Sequence, residues 1–236
     1  MLKKTISALA TSILLLASHS ASAVVIDLFT DDQAILSVTG TSASSSATGT
    51  DIIGGERDIS VISGSKAKTE VEVAYGELNV ASNLAGYDSS ADAESTIEYT
   101  VVVQWDGVDG SMALDDAGLG GVDLSGLTGF LVQILSSDGF GSFTVQITES
   151  DGTTFEHSYA YIAVSASNPT SFVIEFTDFA GLDLSDIGSI QLTLNGVGNT
   201  DIRVASIETV PEPSSLAVMG LALVGLAGVA RRQKRK

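Results

Sequence analysis

The chain predicts an all-β fold, a sandwich or barrel, on two positive observations and one negative. Apolar residues alternate with polar ones at a period of two through most of the middle of the chain. The alternating runs are separated by Gly, Asp, Ser and Asn, the residues that make turns. No amphipathic helix longer than about two turns is evident.

The elements follow in order. Residues 24–28 read as a weak first strand, 30–36 as a short helix, and the Ser/Thr/Ala-rich stretch 42–50 as a flexible loop. Gly54-Gly55 marks a turn, with Glu56 and Arg57 placed to close it as an ion pair. Weaker strands are expected at 58–62 and 77–81. Between them Val71, Val73 and Tyr75 alternate with Glu70, Glu72 and Ala74. Ile97, Tyr99, Val101, Val103 and Trp105 form a longer strand whose apolar residues share one face, which makes Trp105 a core residue rather than a sugar platform. Strands then follow at Phe130-Val132-Ile134, Phe143-Val145-Ile147, Phe172-Ile174-Phe176, Ile190-Leu192-Leu194 and Ile202-Val204.

An internal repeat, G-[VL]-D-L-S-x-[LI]-x-x-[FI], begins at Gly121 and again at Gly181. Each copy runs straight into a strand. Asp123 and Asp183 suit turns, because an aspartate side chain bonds the backbone amide two residues on. Leu124, Leu127, Leu184 and Ile187 would then point inward. A pair of calcium loops is the other reading, but each copy offers fewer than the usual six to eight or so oxygens.

Composition removes several function classes. Of 11 Lys+Arg, only Arg57, Lys66, Lys68 and Arg203 lie between the two chain ends, where all of the 29 Asp+Glu but Glu212 lie. Nucleic acid is excluded as a partner, since neutralising phosphates needs clustered cations. The scattered acids suit solubility more than a repeated cation loop. With Cys 0 there is no thiol nucleophile, thiolate-ligated zinc or disulfide. His157 is the one imidazole left once His19 is removed with the leader. It sits in a strand at 154–161, opposite Glu156, Ser158 and Ala160, as a packed or rim residue.

The two ends are targeting segments. Lys3 and Lys4 precede an apolar run, and Ala21-Ser22-Ala23 is a small-residue cleavage site, so residues 1–23 read as a secretory signal peptide. At the other end Pro211-Glu212-Pro213 precedes an uncharged span at 214–230, roughly 26 Å long as a helix and near the lower limit for crossing a bilayer. Arg231, Arg232, Lys234, Arg235 and Lys236 hold the C-terminus inside, which places the body of the chain outside. Together these residues closely resemble the PEP-CTERM sorting signal of Gram-negative bacteria. That resemblance implies a transmembrane helix processed by an exosortase-type protease at the inner membrane, and export to the cell surface or matrix.

The division is therefore 1–23 signal peptide, 24–209 exported domain and 210–236 sorting signal. Within the body, the stretch from Asp51 to Asp58, Gln104-Trp105-Asp106-Gly107 and the Asp-Leu-Ser corners resemble exported PEP-CTERM proteins. The strand order resembles galactose-binding-like jelly rolls. The resemblance implies a jelly-roll-like β-sandwich of a class whose members bind sugars or carry a structural calcium where the first strand meets the last; the candidate ligands there are Asp27 and Glu208, with Asp58 as a third. No catalytic residue or other cofactor is assigned. The functional expectation is a non-enzymatic surface or matrix protein that binds exopolysaccharide. The alternative is a small secreted hydrolase using paired carboxylates such as Asp115-Asp116 or Asp178/Asp183.

Replacing Pro211, Glu212 and Pro213 together by alanine is expected to leave the full-length chain in the inner membrane. Fractionation and mass spectrometry of the C-terminus check this; processing identical to wild type would show that the triplet is not the signal.

Overall fold

The computed structural model describes residues 22–64, 67–84, 97–139, 141–161, 163–197 and 200–212. Residues 23–210 form one compact unit. Its strands are β1 (Val25–Asp27), β2 (Gln33–Thr39), β3 (Ser42–Thr48), β4 (Glu56–Ser63), β5 (Ala67–Ala74), β6 (Glu77–Leu84) and β7 (Ile97–Trp105). They continue as β8 (Leu127–Ser137), β9 (Gly141–Glu149), β10 (Thr154–Tyr161), β11 (Thr170–Glu175), β12 (Ile187–Val197) and β13 (Ile202–Pro211).

Two antiparallel sheets result. The first has the order β11-β8-β13-β6-β5-β2, with β1 also paired to β13; the second has the order β10-β9-β12-β7-β4-β3. Position by position, chain neighbours occupy the same place in opposite sheets: β2 and β3, β4 and β5, β6 and β7, β8 and β9, β12 and β13, β10 and β11. The chain thus passes repeatedly between layers, and only the β3–β4, β5–β6 and β9–β10 links are hairpins within a sheet. This is the sandwich that the alternation predicts, in the jelly-roll-like form that the resemblance implies.

The core lies between the sheets. Ile59, Val61, Tyr99, Val101, Val103, Trp105, Phe143, Ile147 and Leu192 from the second sheet meet Val71, Val73, Val80, Phe130, Val132, Ile134, Ile174 and Val204 from the first. Phe176 is also buried, in a short 3-10 turn (Phe176–Asp178) just past β11, where its ring meets Phe130 edge-on. Phe172 is half-buried and packs against this core, and the side chain of Ile97 lies outside the described residues. His157 is half-buried at the sandwich rim, its ring 4.7 Å from that of Tyr159.

Three expectations are corrected. Residues 30–36 form no helix: β2 carries a register shift between Gln33 and Leu36, and this bulge spaces the inward residues like a helical face. Residues 42–50 are no loop: Ser42–Thr48 is an edge strand on β4. Its inward positions are Ala43, Ser45 and Ala47, too small to signal a strand by hydrophobicity. The β5 alternation stops before Tyr75, which is 99% exposed with φ 57 beside Gly76 at φ 77. Those two residues make the tight hairpin turn between Ala74 and Glu77, and a φ above zero at both is what such a turn requires.

The repeated corners are one structure used twice. Asp123 Oδ1 accepts from Ser125 N at 2.9 Å and Asp183 Oδ1 from Ser185 N at 3.0 Å. Leu124 and Ile187 are fully buried and Leu127 is nearly so. One corner feeds β8 of the first sheet and the other β12 of the second. They bond each other directly through Leu124 N to Leu184 O (2.7 Å) and the reciprocal Val122–Ile187 bridge.

A buried polar network joins the layers at this same end of the sandwich. Arg57 does not pair with Glu56. It points inward, and its Nη1 donates to both carboxylate oxygens of Asp27 at 3.0 Å, both side chains being fully buried. Arg57 Nε donates to Gln33 Oε1 (2.9 Å), Nη2 to Asp31 O (2.6 Å), and the guanidinium lies 5.4 Å from the Phe29 ring centroid. Asp27 also accepts from Trp105 Nε1 (2.9 Å) and Phe29 N (2.7 Å). Burial pushes the Asp27 carboxyl upward, opposed first by the Arg57 charge and then by the Trp105 and Phe29 donors.

Two predictions follow from this packing. Val101→Asp would bury an unpaired charge and cost several kcal/mol, roughly enough to unfold a domain of ordinary stability. Val102→Asp, one residue along and facing outward, is expected to fold, so urea denaturation of the two variants of the 24–209 domain tests the register. Arg57→Met leaves the Asp27 charge without its counter-ion and should lower stability by about 3–5 kcal/mol in the same assay; an unchanged midpoint would refute the role of the pair.

Candidate functional site

The sorting triplet begins where the sandwich stops. Pro211 is the last residue of β13 and Glu212 follows it exposed, while Thr128 Oγ1 donates to Val210 O at 3.1 Å and holds the exit point. Pro213, the apolar span and Arg231, Arg232, Lys234, Arg235 and Lys236 lie outside the described residues, as does Ala21 of the cleavage site. Ala23 is described, just ahead of β1. Among the described residues no helix is long and apolar enough to cross a membrane.

The expected calcium ligands sit on paired strands, Val25 of β1 opposite Glu208 of β13 and Asp27 opposite Ile207. The structure nevertheless commits Asp27 to Arg57, Trp105 and Phe29, so its oxygens already face protein donors. Glu208 accepts from Ser206 Oγ at 2.9 Å. Asp58, the third candidate, belongs to the opposite sheet.

The carboxylates that do gather are on the outer face of that second sheet. Glu56 and Asp58 alternate with inward Arg57 on β4, and carboxylate oxygens of Glu56, Asp58 and Asp109 lie within 4.8 Å of one another. The β7–β8 loop brings Asp109 there: Gly110 N donates to Glu56 Oε1 (2.7 Å) and Leu119 N to Gly188 O (2.9 Å). Gly118 must lack a side chain, since a Cβ there would fall 1.4 Å from Asp106 O. Burial raises Asp58 to about 6 against the pull of its Ser46 hydrogen bond, with Glu56, Asp106 and Asp109 adding to the rise. Asp106 is raised as well, by burial first.

Of the carboxylates of the hydrolase reading, Asp115, Asp178 and Asp183 are tied into local structure. Asp115 caps its own turn through Ala117 N (3.0 Å), Asp183 serves its corner, and Asp178 accepts from Tyr159 OH.

Beyond the loop, the outer face of the second sheet is a polar array. Cross-strand registers align Ser60, Val102, Thr193, Thr144 and Ser158 in one row. The adjacent row runs Asp58, Gln104, Gln191, Gln146 and Glu156. Gln104 is covered and bonds Asp106, whereas Gln191 and Gln146 are half-buried. Thr144 Oγ1 and Ser158 Oγ are 2.7 Å apart, and Thr100 Oγ1 donates to Asn195 Oδ1 at 2.8 Å. Among the described residues no aromatic ring stands on this face; Trp105, Tyr99 and Phe143 all point into the core. A separate open depression of about 550 Å³, lined by Asn79, Ser137, Asp138, Ser165, Asp201 and Arg203, lies where Arg203 is clamped by Glu77.

Sequence reasoning missed Glu56 and Asp109 as a group with Asp58, and Gln146, Gln191, Thr144 and Thr193 as a surface. The available signal was the polar half of each alternating strand, which cross-strand pairing converts into rows.

Comparison of folds finds solved structures similar to this one. A family 11 carbohydrate-binding module of a cellulosomal cellulase of Clostridium thermocellum is 13% identical, with a TM-score of 0.41, covering 82% of this chain and 96% of that one. A solution structure of a family 11 module is 15% identical, with a TM-score of 0.43, covering 83% and 99%. A family 29 carbohydrate-binding module variant complexed with cellulohexaose is 10% identical, with a TM-score of 0.41, covering 84% and 96%. Comparison with curated proteins finds no match. At the C-terminus, residues 209–236 match the PEP-CTERM protein-sorting motif, so the tail that begins at the end of β13 is that signal.

Proposed function

We propose that this is an exported, non-catalytic protein of the cell surface or extracellular matrix that rests on neutral polysaccharide through the outer face of its second sheet. Residues 1–23 direct export, and an exosortase-type protease acts on the tail at the inner membrane, releasing the 24–209 domain outward. The sorting motif supports the route. The observation that carries the binding reading is the row of Ser60, Thr193, Thr144 and Ser158 beside Gln191 and Gln146. Hydroxyls and amides on a regular lattice can donate to and accept from sugar hydroxyls along a chain. The acid excess disfavours anionic polymers, which selects a neutral one. Asp115, Asp178 and Asp183 are each held by a local donor, which supports the non-catalytic reading.

The test is affinity electrophoresis of the 24–209 domain through gels containing neutral or acidic polysaccharides, with reducing ends assayed in parallel. Retardation by a neutral polymer without release of reducing ends is expected. Gln146→Ala with Gln191→Ala should weaken it about tenfold, the worth of one or two hydrogen bonds at about 1 kcal/mol each, without lowering the melting temperature. Absence of retardation by any neutral polymer, or turnover, would overturn the reading.

A further inference from the structure

We propose that Glu56, Asp58 and Asp109, with Asp106 beside them, bind one divalent cation of the oxygen-preferring calcium class, which fastens the β7–β8 loop onto β4. Glu56 and Asp58 come from β4, and Asp106 and Asp109 from the β7–β8 loop. The β4–β7 register sets Asp58 opposite Gln104, whose side-chain amide donates to Asp106 just past the end of β7. Asp109 then closes the group from the loop.

Gathered acids alone would not make a site. What marks this one is a pair of buried oxygens with nothing to bind. Asp58 and Asp106 are both 0% exposed, and Asp58 Oδ2 and Asp106 Oδ1 have no hydrogen-bond partner. Leaving such an oxygen dry and unpaired is costly. The opposite oxygen of each acid is already held by the protein. Asp58 Oδ1 accepts from Ser46 Oγ, Asp106 Oδ2 from Gln104 Nε2 and from Asp115 N (2.8 Å). Glu56 Oε1 accepts from Gly110 N and Asp109 Oδ1 from Ser111 N (2.9 Å). One oxygen fixed by a donor and the other left open is the way a second layer of hydrogen bonds orients carboxylates around a metal.

The charge count points the same way. Among the described residues no Lys or Arg pairs with any of the four, because Arg57 between Glu56 and Asp58 faces the core. Carboxylate oxygens without nitrogen or sulfur select a hard cation, and a loop-borne ligand suits calcium's flexible geometry better than magnesium's rigid octahedron. The ligands are distinct from Asp27 and Glu208.

The test uses the full chain purified in detergent, melted at constant ionic strength in EDTA, magnesium or calcium, and followed by the fluorescence of its single Trp. Calcium at a hundredfold excess over its dissociation constant should raise the melting temperature by about 5–10 °C over the EDTA value, with magnesium giving much less. Asp109→Asn, on the exposed loop, and Asp58→Asn should each abolish the calcium-specific rise. In EDTA, Asp58→Asn should melt at or above the wild type, since it removes a repelled buried charge. Should Asp58→Asn not fold, Asp109→Asn decides alone. Equal responses of wild type to calcium and magnesium, or a calcium-specific rise retained in Asp109→Asn, would overturn the site.

Discussion

The pairing of Asp27 with Arg57 is the constraint around which one end of the sandwich is assembled. Arg57 is a fully buried cation, and it enters the core from the middle of an otherwise outward-acidic segment of β4. Its partner comes from β1 of the other sheet. Gln33 of β2 supports Arg57 and also donates to Ser45 O of β3 at 2.8 Å, while Trp105 of β7 supports Asp27. Five strands from both layers therefore share one hydrogen-bonded group. A buried ion pair adds little net stability over an apolar core, because desolvation offsets the attraction. Its consequence is selective: any slip of β1 or β4 by one residue sends one charge to the surface and strands the other in the core. The left-handed backbone at Phe29 (φ 53) belongs to the same arrangement, since it turns the Phe29 amide back onto Asp27 and lays its ring beside the guanidinium.

The same end carries the two Asp-Leu-Ser corners, and their equivalence explains the repeat without a metal. Each aspartate bonds the amide two residues ahead, each following leucine turns toward the core, and the two corners exchange backbone hydrogen bonds across the layers. Both Asp123 and Asp183 are held below the usual carboxylate range by their serine partners, Ser125 and Ser185. That is the behaviour of a carboxylate already satisfied by the chain. It contrasts with Asp58 and Asp106, which burial pushes upward.

How much of this was legible depended on what kind of residue carried the message. Val101, Val103, Phe143, Ile147, Leu192 and Val204 are large, β-branched or aromatic, and their alternation gives strand, face and core together. Ala43, Ser45 and Ala47 occupy the same kind of inward position on β3, yet their size leaves no hydrophobic signature. The bulge in β2 replaced a period of two by a helix-like spacing. Arg57 was read as a local partner of Glu56 because neighbours in sequence suggest themselves; alternation along β4 instead sends them to opposite faces. The tail was readable because its signal is linear. The carboxylate group and the polar rows were not, because they arise only when β4, β7, β9, β10 and β12 are set side by side.

The orientation of the aromatic rings limits how the outer face of the second sheet can recognise a polymer. With Trp105, Tyr99 and Phe143 facing inward, no ring among the described residues stands there to stack on a sugar, and contacts from these residues reduce to hydrogen bonds exchanged against water. Each such bond is worth about 1 kcal/mol net, so one domain on one short oligosaccharide would bind weakly. A polymer changes the arithmetic. On the proposed reading, many copies displayed on one surface would present many such faces to one chain, and linked weak contacts gain overall affinity by factors of roughly 10²–10⁴ without any new contact. A hydrogen-bonding face without aromatic anchors is therefore suited to reversible contact with an extended matrix rather than capture of a free sugar. The strongly negative body adds to this by keeping neighbouring copies apart. On the proposed reading, surface display and polar recognition would be consistent demands on one fold.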